Sequence, residues 1–194
     1  LFRSLRVPRL SVARGEHVGI VGASGSGKTT LLHMFAGILT PEAGRMSVLG
    51  ADMRSIGERG ARELRLHRMG LVFQEFELLA YLDVSQNIML AQRLGVANLA
   101  RDRMQYLASA AGIAHLLKRK PARLSQGERQ RVAVCRALLH EPLLVLCDEP
   151  TGNLDPLTTE RITELLQSEV RKIGGTMIMV SHNHGALRGF TRIV

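Results

Sequence analysis

The chain has 194 residues, 45% of them hydrophobic, a formal net charge of +9 and two cysteines. That length and apolar share support one substantial core under a charged exterior, in a single domain. No run approaches the roughly 18 uninterrupted apolar residues of a membrane-spanning helix, and the opening LFRSLRVPRL lacks the apolar block of a secretory signal, so a cytosolic or peripheral chain is expected. Cys135 and Cys147 sit in apolar runs without CxxC spacing, which argues against a metal site or a disulfide scaffold and for reduced core residues. The positive charge suits a nucleic acid, an anionic membrane or a polyanionic nucleotide. The arginines are spread along the chain and aromatic residues make up only 4%, so a single-strand stacking platform is disfavoured and a solvated basic surface is the default.

In chain order, residues 16–21 form an apolar strand, a Gly-rich turn follows, and a helix is expected from Lys28 to about Leu39. Pro41, Gly44 and Gly50 punctuate a short hairpin-like piece, and residues 69–73 form a strand ending at Gln74. From about Asp83 to His140 the apolar positions recur at helical spacing, as in Val84 and Ile88 or Met104, Leu107, Ala108 and Ala111, which marks a helical subdomain. LLVLC and TMIMV return to strand-like runs, separated by a helix carrying Ile162, Leu165 and Leu166. Strands alternating with helices indicate a parallel sheet covered on both faces. Both ends are expected to be trimmed relative to a natural domain.

The segment GASGSGKTT, comprising Gly22, Ala23, Ser24, Gly25, Ser26, Gly27, Lys28, Thr29 and Thr30, satisfies GxxxxGK[ST] between a strand and a helix. Its glycines let the backbone turn tightly and aim N–H groups at an anion beside a helix N-terminus. Lys28 is placed to reach the β- and γ-phosphates of a nucleotide, and the Thr29 hydroxyl to ligate Mg²⁺.

LLVLCDEP carries two carboxylates at the C-terminal end of a strand, the end at which open α/β sheets bind ligands. Asp148 is read as assisting Mg²⁺ and Glu149 as the general base that orients and deprotonates water. His182 follows TMIMV at the same edge and is a candidate γ-phosphate contact. Gln74 emerges likewise from MGLVF and is a candidate ligand for the metal or the lytic water. The remaining six histidines, at 17, 33, 67, 115, 140 and 184, are read as structural.

The continuous stretch LSQGERQRVAVCRALLHEPLLVLCDEPTGNLD, residues 124–155, resembles the signature, Walker B and D-loop of the ABC transporter ATPases. With the phosphate loop, Gln74 and His182 in family order, the resemblance covers nearly the whole chain. It implies a P-loop NTPase of the α/β class, with a RecA-like, mostly parallel sheet flanked by helices, an inserted helical subdomain and a small N-terminal antiparallel β part. One domain over 1–194 is expected, with core segments 1–74 and 141–194 and a helical subdomain at 75–140. By resemblance, Ser125 and Gly127 form the turn that binds the γ-phosphate held by an opposite subunit, and Asp155 couples the two sites. That implies a head-to-tail homodimer with two ATP molecules at the interface, Mg²⁺ as cofactor, and an integral-membrane permease as partner at the cytoplasmic side of the inner membrane. Gln126 stands where the family often has Gly, and the adenine-stacking aromatic is expected to lie outside the chain, Phe2 being too close to Gly22.

DEPTGNLD, MGLVFQEFELLAYLDVSQNIML and SGSGKTTLLHMFAG are most similar to the subgroup of lipoprotein-release, macrolide-export and cell-division ATPases. Phe76, Leu78 and Leu79 are candidates for the surface that receives the permease, the alternative being that they pack internally. A DNA-repair or chromosome-organising ATPase with the same head would carry long heptad coiled coils, and none is present. No nucleic-acid partner is therefore expected. A translation factor would carry two heads, and an unrelated phosphate-loop kinase leaves the signature, Gln74 and His182 unexplained.

Overall fold

The computed structural model describes residues 5–23, 25–96, 99–182 and 184–194. Five strands form one sheet in the order β4-β5-β6-β1-β7: β1 (His17–Ile20), β4 (Met69–Val72), β5 (Leu144–Asp148), β6 (Thr176–Val180) and β7 (Arg192–Ile193). Every pairing in it is parallel, so the carboxyl ends of all these strands lie along one edge.

The two-residue period of the strands sorts their side chains into two cores. Leu144 and Leu146 of β5, Ile178 and Val180 of β6, and Val18 and Ile20 of β1 face a core shared with Leu32 of α1 (Lys28–Phe35) and with Ala36, the residue that caps its C-terminus. Val145 and Cys147 of β5 and Met177 and Met179 of β6 face the opposite core. That core is completed by α3 (Val84–Ile88), α5 (Arg101–Ala110), α6 (Gln126–Leu138) and α7 (Pro156–Lys172). Because both faces are covered, β5 and β6 are buried at every position and read as unbroken apolar runs instead of alternating ones. Each fully buried Leu, Ile or Met contributes roughly 1.5–3 kcal/mol of transfer free energy. Cys135 and Cys147 are free and buried, and burial pushes the Cys135 thiol up to about 12.

Helix α1 stops at Phe35, short of the expected Leu39, because Gly37 takes φ +63° and closes a Schellman motif. In it the Gly37 N–H donates to the Met34 carbonyl and the Ile38 N–H to the His33 carbonyl, both at 2.9 Å. The small antiparallel part is the hairpin of β2 (Ser47–Val48) and β3 (Ala51–Asp52), turned by Leu49 and Gly50, both at positive φ as primed turns require. Helix α2 (Gly57–Arg68) was not signalled by any apolar stripe, since Ala61 is its one buried residue. Arg65 anchors it by donating to the Ala36 and Gly37 carbonyls at the end of α1.

Residues 83–140 are helical as expected but broken into α3, α4 (Leu90–Arg93), α5, two 3₁₀ turns and α6. Helix α6 lies against β4 and α7 and shares their core. Phe76 is only 7% exposed and packs into that core, with Leu78 partly buried against it, so internal packing prevails over an outward docking surface at these two positions.

Candidate active site

The phosphate loop leaves β1 at the carboxyl edge of the sheet. Gly25 and Gly27 sit at φ +74° and +93°, conformations that a Cβ penalises, and Gly27 is the N-cap of α1. The Lys28 ammonium reaches back over the loop to donate to the carbonyls of Gly22 and Ala23, each at 2.8 Å, and lies 3.5 Å from Ser26 Oγ. Thr29 and Thr30 follow on the exposed first turn of α1. Ser24, Phe2 and the His184 side chain lie outside the described residues.

Two strands away, β5 delivers its carboxylates beside this loop. The Asp148 side chain is buried and accepts a 2.6 Å hydrogen bond from the Thr29 hydroxyl, which joins two of the three candidate metal ligands directly. This pair of hard oxygen donors fits Mg²⁺, which prefers carboxylate and hydroxyl oxygens and retains several waters.

Glu149 occupies φ +49°, a left-handed conformation costing a non-glycine residue about 1–3 kcal/mol. Its backbone is over-determined: the N–H donates to the Val180 carbonyl at 3.0 Å, and the carbonyl accepts from Gln130 Nε2 at 2.9 Å. Its carboxylate is held as firmly. Oε1 accepts the His182 N–H at 2.9 Å and lies 2.8 Å from His182 Nδ1, while the Ser181 hydroxyl donates to Oε2 at 3.4 Å. His182 therefore meets the candidate base directly, and its ring is mostly exposed.

The structure thus brings together Lys28, Thr29, Asp148, Glu149 and His182 along one edge. Gln74 is exposed just beyond β4 at that edge, and its side chain makes no hydrogen bond among the described residues. Among the described residues, Ser125, Gly127 and Asp155 are not bonded to the phosphate loop. Ser125 caps α6 in a reciprocal box: its hydroxyl accepts from the Glu128 N–H at 3.2 Å, and Glu128 Oε2 accepts from the Ser125 N–H at 2.7 Å. That backbone hydrogen bond holds the Glu128 carboxyl below the usual range. A Cβ at Gly127 would come within 3.1 Å of Leu154 Cδ2, so its lack of a side chain lets the signature helix meet the loop after β5. Asp155 caps α7 by accepting the Thr158 N–H at 3.0 Å, and hydrogen bonding from Thr158 lowers its pKa.

Sequence reasoning missed Gln130. Buried in α6, it bonds the Glu149 carbonyl through Nε2 and accepts the Asn153 N–H at 3.3 Å through Oε1, tying the helix to the turn that carries Glu149. Its available signal was one amide in register with the apolar positions Val134 and Leu138.

Residues 5–152 match the ABC transporter family. The chain belongs to that family. It is an ATP-binding and ATP-hydrolysing subunit of the ABC transporter type. This ABC subunit is 41% identical over 192 residues to the lipoprotein-releasing system ATP-binding protein LolD of Maricaulis maris, covering 98% of this chain and 84% of that protein. It is 42% identical over 187 residues to the methionine import ATP-binding protein MetN 2 of Burkholderia mallei, of whose length it spans 47%. Among solved structures, the dimeric structure of MJ0796, a bacterial ABC transporter cassette, matches with a TM-score of 0.90 at 31% identity, covering 95% of this chain and 82% of that one. A dimeric post-hydrolysis state of the MJ0796 cassette bound to ADP and Pi matches with a TM-score of 0.89. No helix among the described residues is long and apolar enough to cross a membrane.

Proposed function

We propose that two copies of this chain clamp two ATP molecules head to tail and that the closing and reopening of the pair drives a separate integral-membrane permease from the cytoplasmic face. The observation that carries this reading is the convergence of Thr29 with Asp148 and of Glu149 with His182 beside the phosphate loop. Such an edge can hold a polyphosphate and activate a water next to it. The dimeric state of MJ0796 and the transport-system names of LolD and MetN 2 support the pairing and the membrane partner.

In this mechanism the loop N–H groups from Gly22 to Thr30 and the Lys28 ammonium bind the β- and γ-phosphates. Thr29, Gln74 and Asp148 would hold Mg²⁺, which when bound would supply positive charge against the phosphate oxygens. Glu149 takes the proton of the attacking water, and His182 fixes the carboxylate and contacts the γ-phosphate. Ser125 and Gly127 present the start of α6 to the phosphate held by the other protomer, where the dipole of the helix favours an anion. Asp155 links the two sites. Core segments 1–74 and 141–194 and the helical segment 75–140 make up the one domain that closes against its copy, and the Gln74 region transmits the movement to the permease. LolD is named for release and MetN 2 for import at nearly equal identity, which supports assigning substrate and direction to the permease.

The test mixes one preparation carrying Ser26→Cys with another carrying Gln126→Cys, so that any crosslink between these positions joins different protomers. The native Cys135 and Cys147 are buried and stay silent. Crosslinking is expected on adding ATP and Mg²⁺ and not without nucleotide. Its absence in the presence of both refutes the head-to-tail clamp.

A further inference from the structure

The turn that follows Gln74 is built against the preference of its own residues. Phe76 and Glu77 both take left-handed conformations, at φ +62° and +49°, although neither is glycine or asparagine. Within the turn, the Phe76 N–H donates to the Phe73 carbonyl at 3.1 Å and the Glu77 N–H to the Glu75 carbonyl at 2.7 Å. The carbonyls of Phe76 and Glu77 are both taken by one side chain. The Arg136 guanidinium donates to the Phe76 carbonyl at 2.7 Å through one nitrogen and to the Glu77 carbonyl at 2.5 Å through the other. A planar fork is suited to such a pair of acceptors, and no carboxylate forms an ion pair with it among the described residues. Burial lowers the Arg136 pKa, with the nearby Glu77 charge opposing.

Arg136 stands in the last turn of α6, the helix whose first turn is capped by Ser125 and whose middle bonds the Glu149 carbonyl through Gln130. We infer that Arg136 is a positioning residue for Gln74: by gripping the Phe76 and Glu77 carbonyls it fastens the Gln74 turn to the signature helix. One rigid element then carries Ser125, the backbone of Glu149 and the approach of Gln74 to the reacting phosphate. Gln74 has no side-chain hydrogen bond of its own among the described residues, so its position is inherited from the backbone that Arg136 holds.

This inference rests on the role given to Gln74 above, and the experiment separates the two. ATP affinity, kcat and KM are measured for the wild type, Gln74→Ala, Arg136→Met and the double variant. Each single change is expected to lower kcat about tenfold or more while leaving ATP affinity and KM nearly unchanged, as for a small misplacement of a reacting group. The double variant is expected to be no slower than the slower single one, because both remove the same interaction. Multiplying effects would assign Arg136 a role independent of Gln74 and overturn the inference alone. An unchanged kcat for Gln74→Ala overturns the role of Gln74 and the inference together. Where Arg136→Met does not fold, Arg136→Lys, which keeps the charge and loses the fork, enters the same cycle. Adding Glu77→Asn to the Arg136 variant is expected to recover several-fold in kcat, since Asn adopts the left-handed conformation more readily. No recovery counts against the clamp.

Discussion

Replacing Glu149 by Gln separates chemistry from architecture. The amide retains an oxygen where Oε1 accepts the His182 N–H at 2.9 Å, and its other end still faces the Ser181 hydroxyl 3.4 Å from the original Oε2. What disappears is the charge on those bonds, worth about 1 kcal/mol, which in a chain of this size lowers Tm by roughly 2–4 °C. The reaction loses its proton acceptor, and general-base catalysis supplies about two to four orders of magnitude in rate, or roughly 2.7–5.4 kcal/mol of barrier. The expected variant is therefore folded, binds ATP as the wild type does, favours the closed pair, and releases phosphate about 10²–10⁴ times more slowly. Single-turnover phosphate release gives the rate, and fluorescent-nucleotide titration gives the affinity. A rate within tenfold of wild type would refute the assignment of the base, as would an affinity loss matching the loss in rate.

Lys28→Ala removes the only ammonium on the phosphate loop, and losing a charge-assisted hydrogen bond of about 1.5–3 kcal/mol should weaken ATP binding at least tenfold by equilibrium titration. Unchanged affinity contradicts the phosphate site. Glu169, 1% exposed on α7, accepts from Lys172 at 2.5 Å and Tyr106 at 3.0 Å and pairs with Arg103 at 3.2 Å. Glu169→Ala should cost about 2–3 kcal/mol in urea unfolding, below the usual 3–5 for a broken buried pair, because Lys172 is 59% exposed and Arg103 keeps Glu141 at 3.4 Å. Burial pushes the Glu169 pKa up, but the Lys172 and Tyr106 hydrogen bonds and the Lys172 and Arg103 charges outweigh it, so the net shift is downward from 4.5. A lowered acid stabilises the fold above its unfolded value. The difference between wild type and variant should therefore hold at neutral pH and shrink as pH falls below about 4.5. A difference that stays constant into acid would contradict the ion-pair account.

Much of the sheet was legible because burial on both faces turns β5 and β6 into unbroken apolar runs. The phosphate loop was legible because its tight turn demands glycine at positive φ. Helix α2 escaped notice because a helix that buries little but Ala61 has no apolar stripe. Phe76 was open between an outward docking surface and internal packing, and its burial goes with a left-handed backbone held by a side chain sixty positions away, which the sequence does not mark. The same long-range character hid Gln130, whose partner is a backbone carbonyl that the sequence does not mark.

The division of β5 between two cores has a further consequence for how this strand can change over generations. Swapping one apolar side chain for another of similar bulk disturbs a single neighbourhood. Losing or gaining one residue between Leu144 and Asp148 would exchange every inward and outward partner at once and swing the Asp148 carboxylate away from the Thr29 hydroxyl. Length, far more than composition, is what descendants of this strand must preserve.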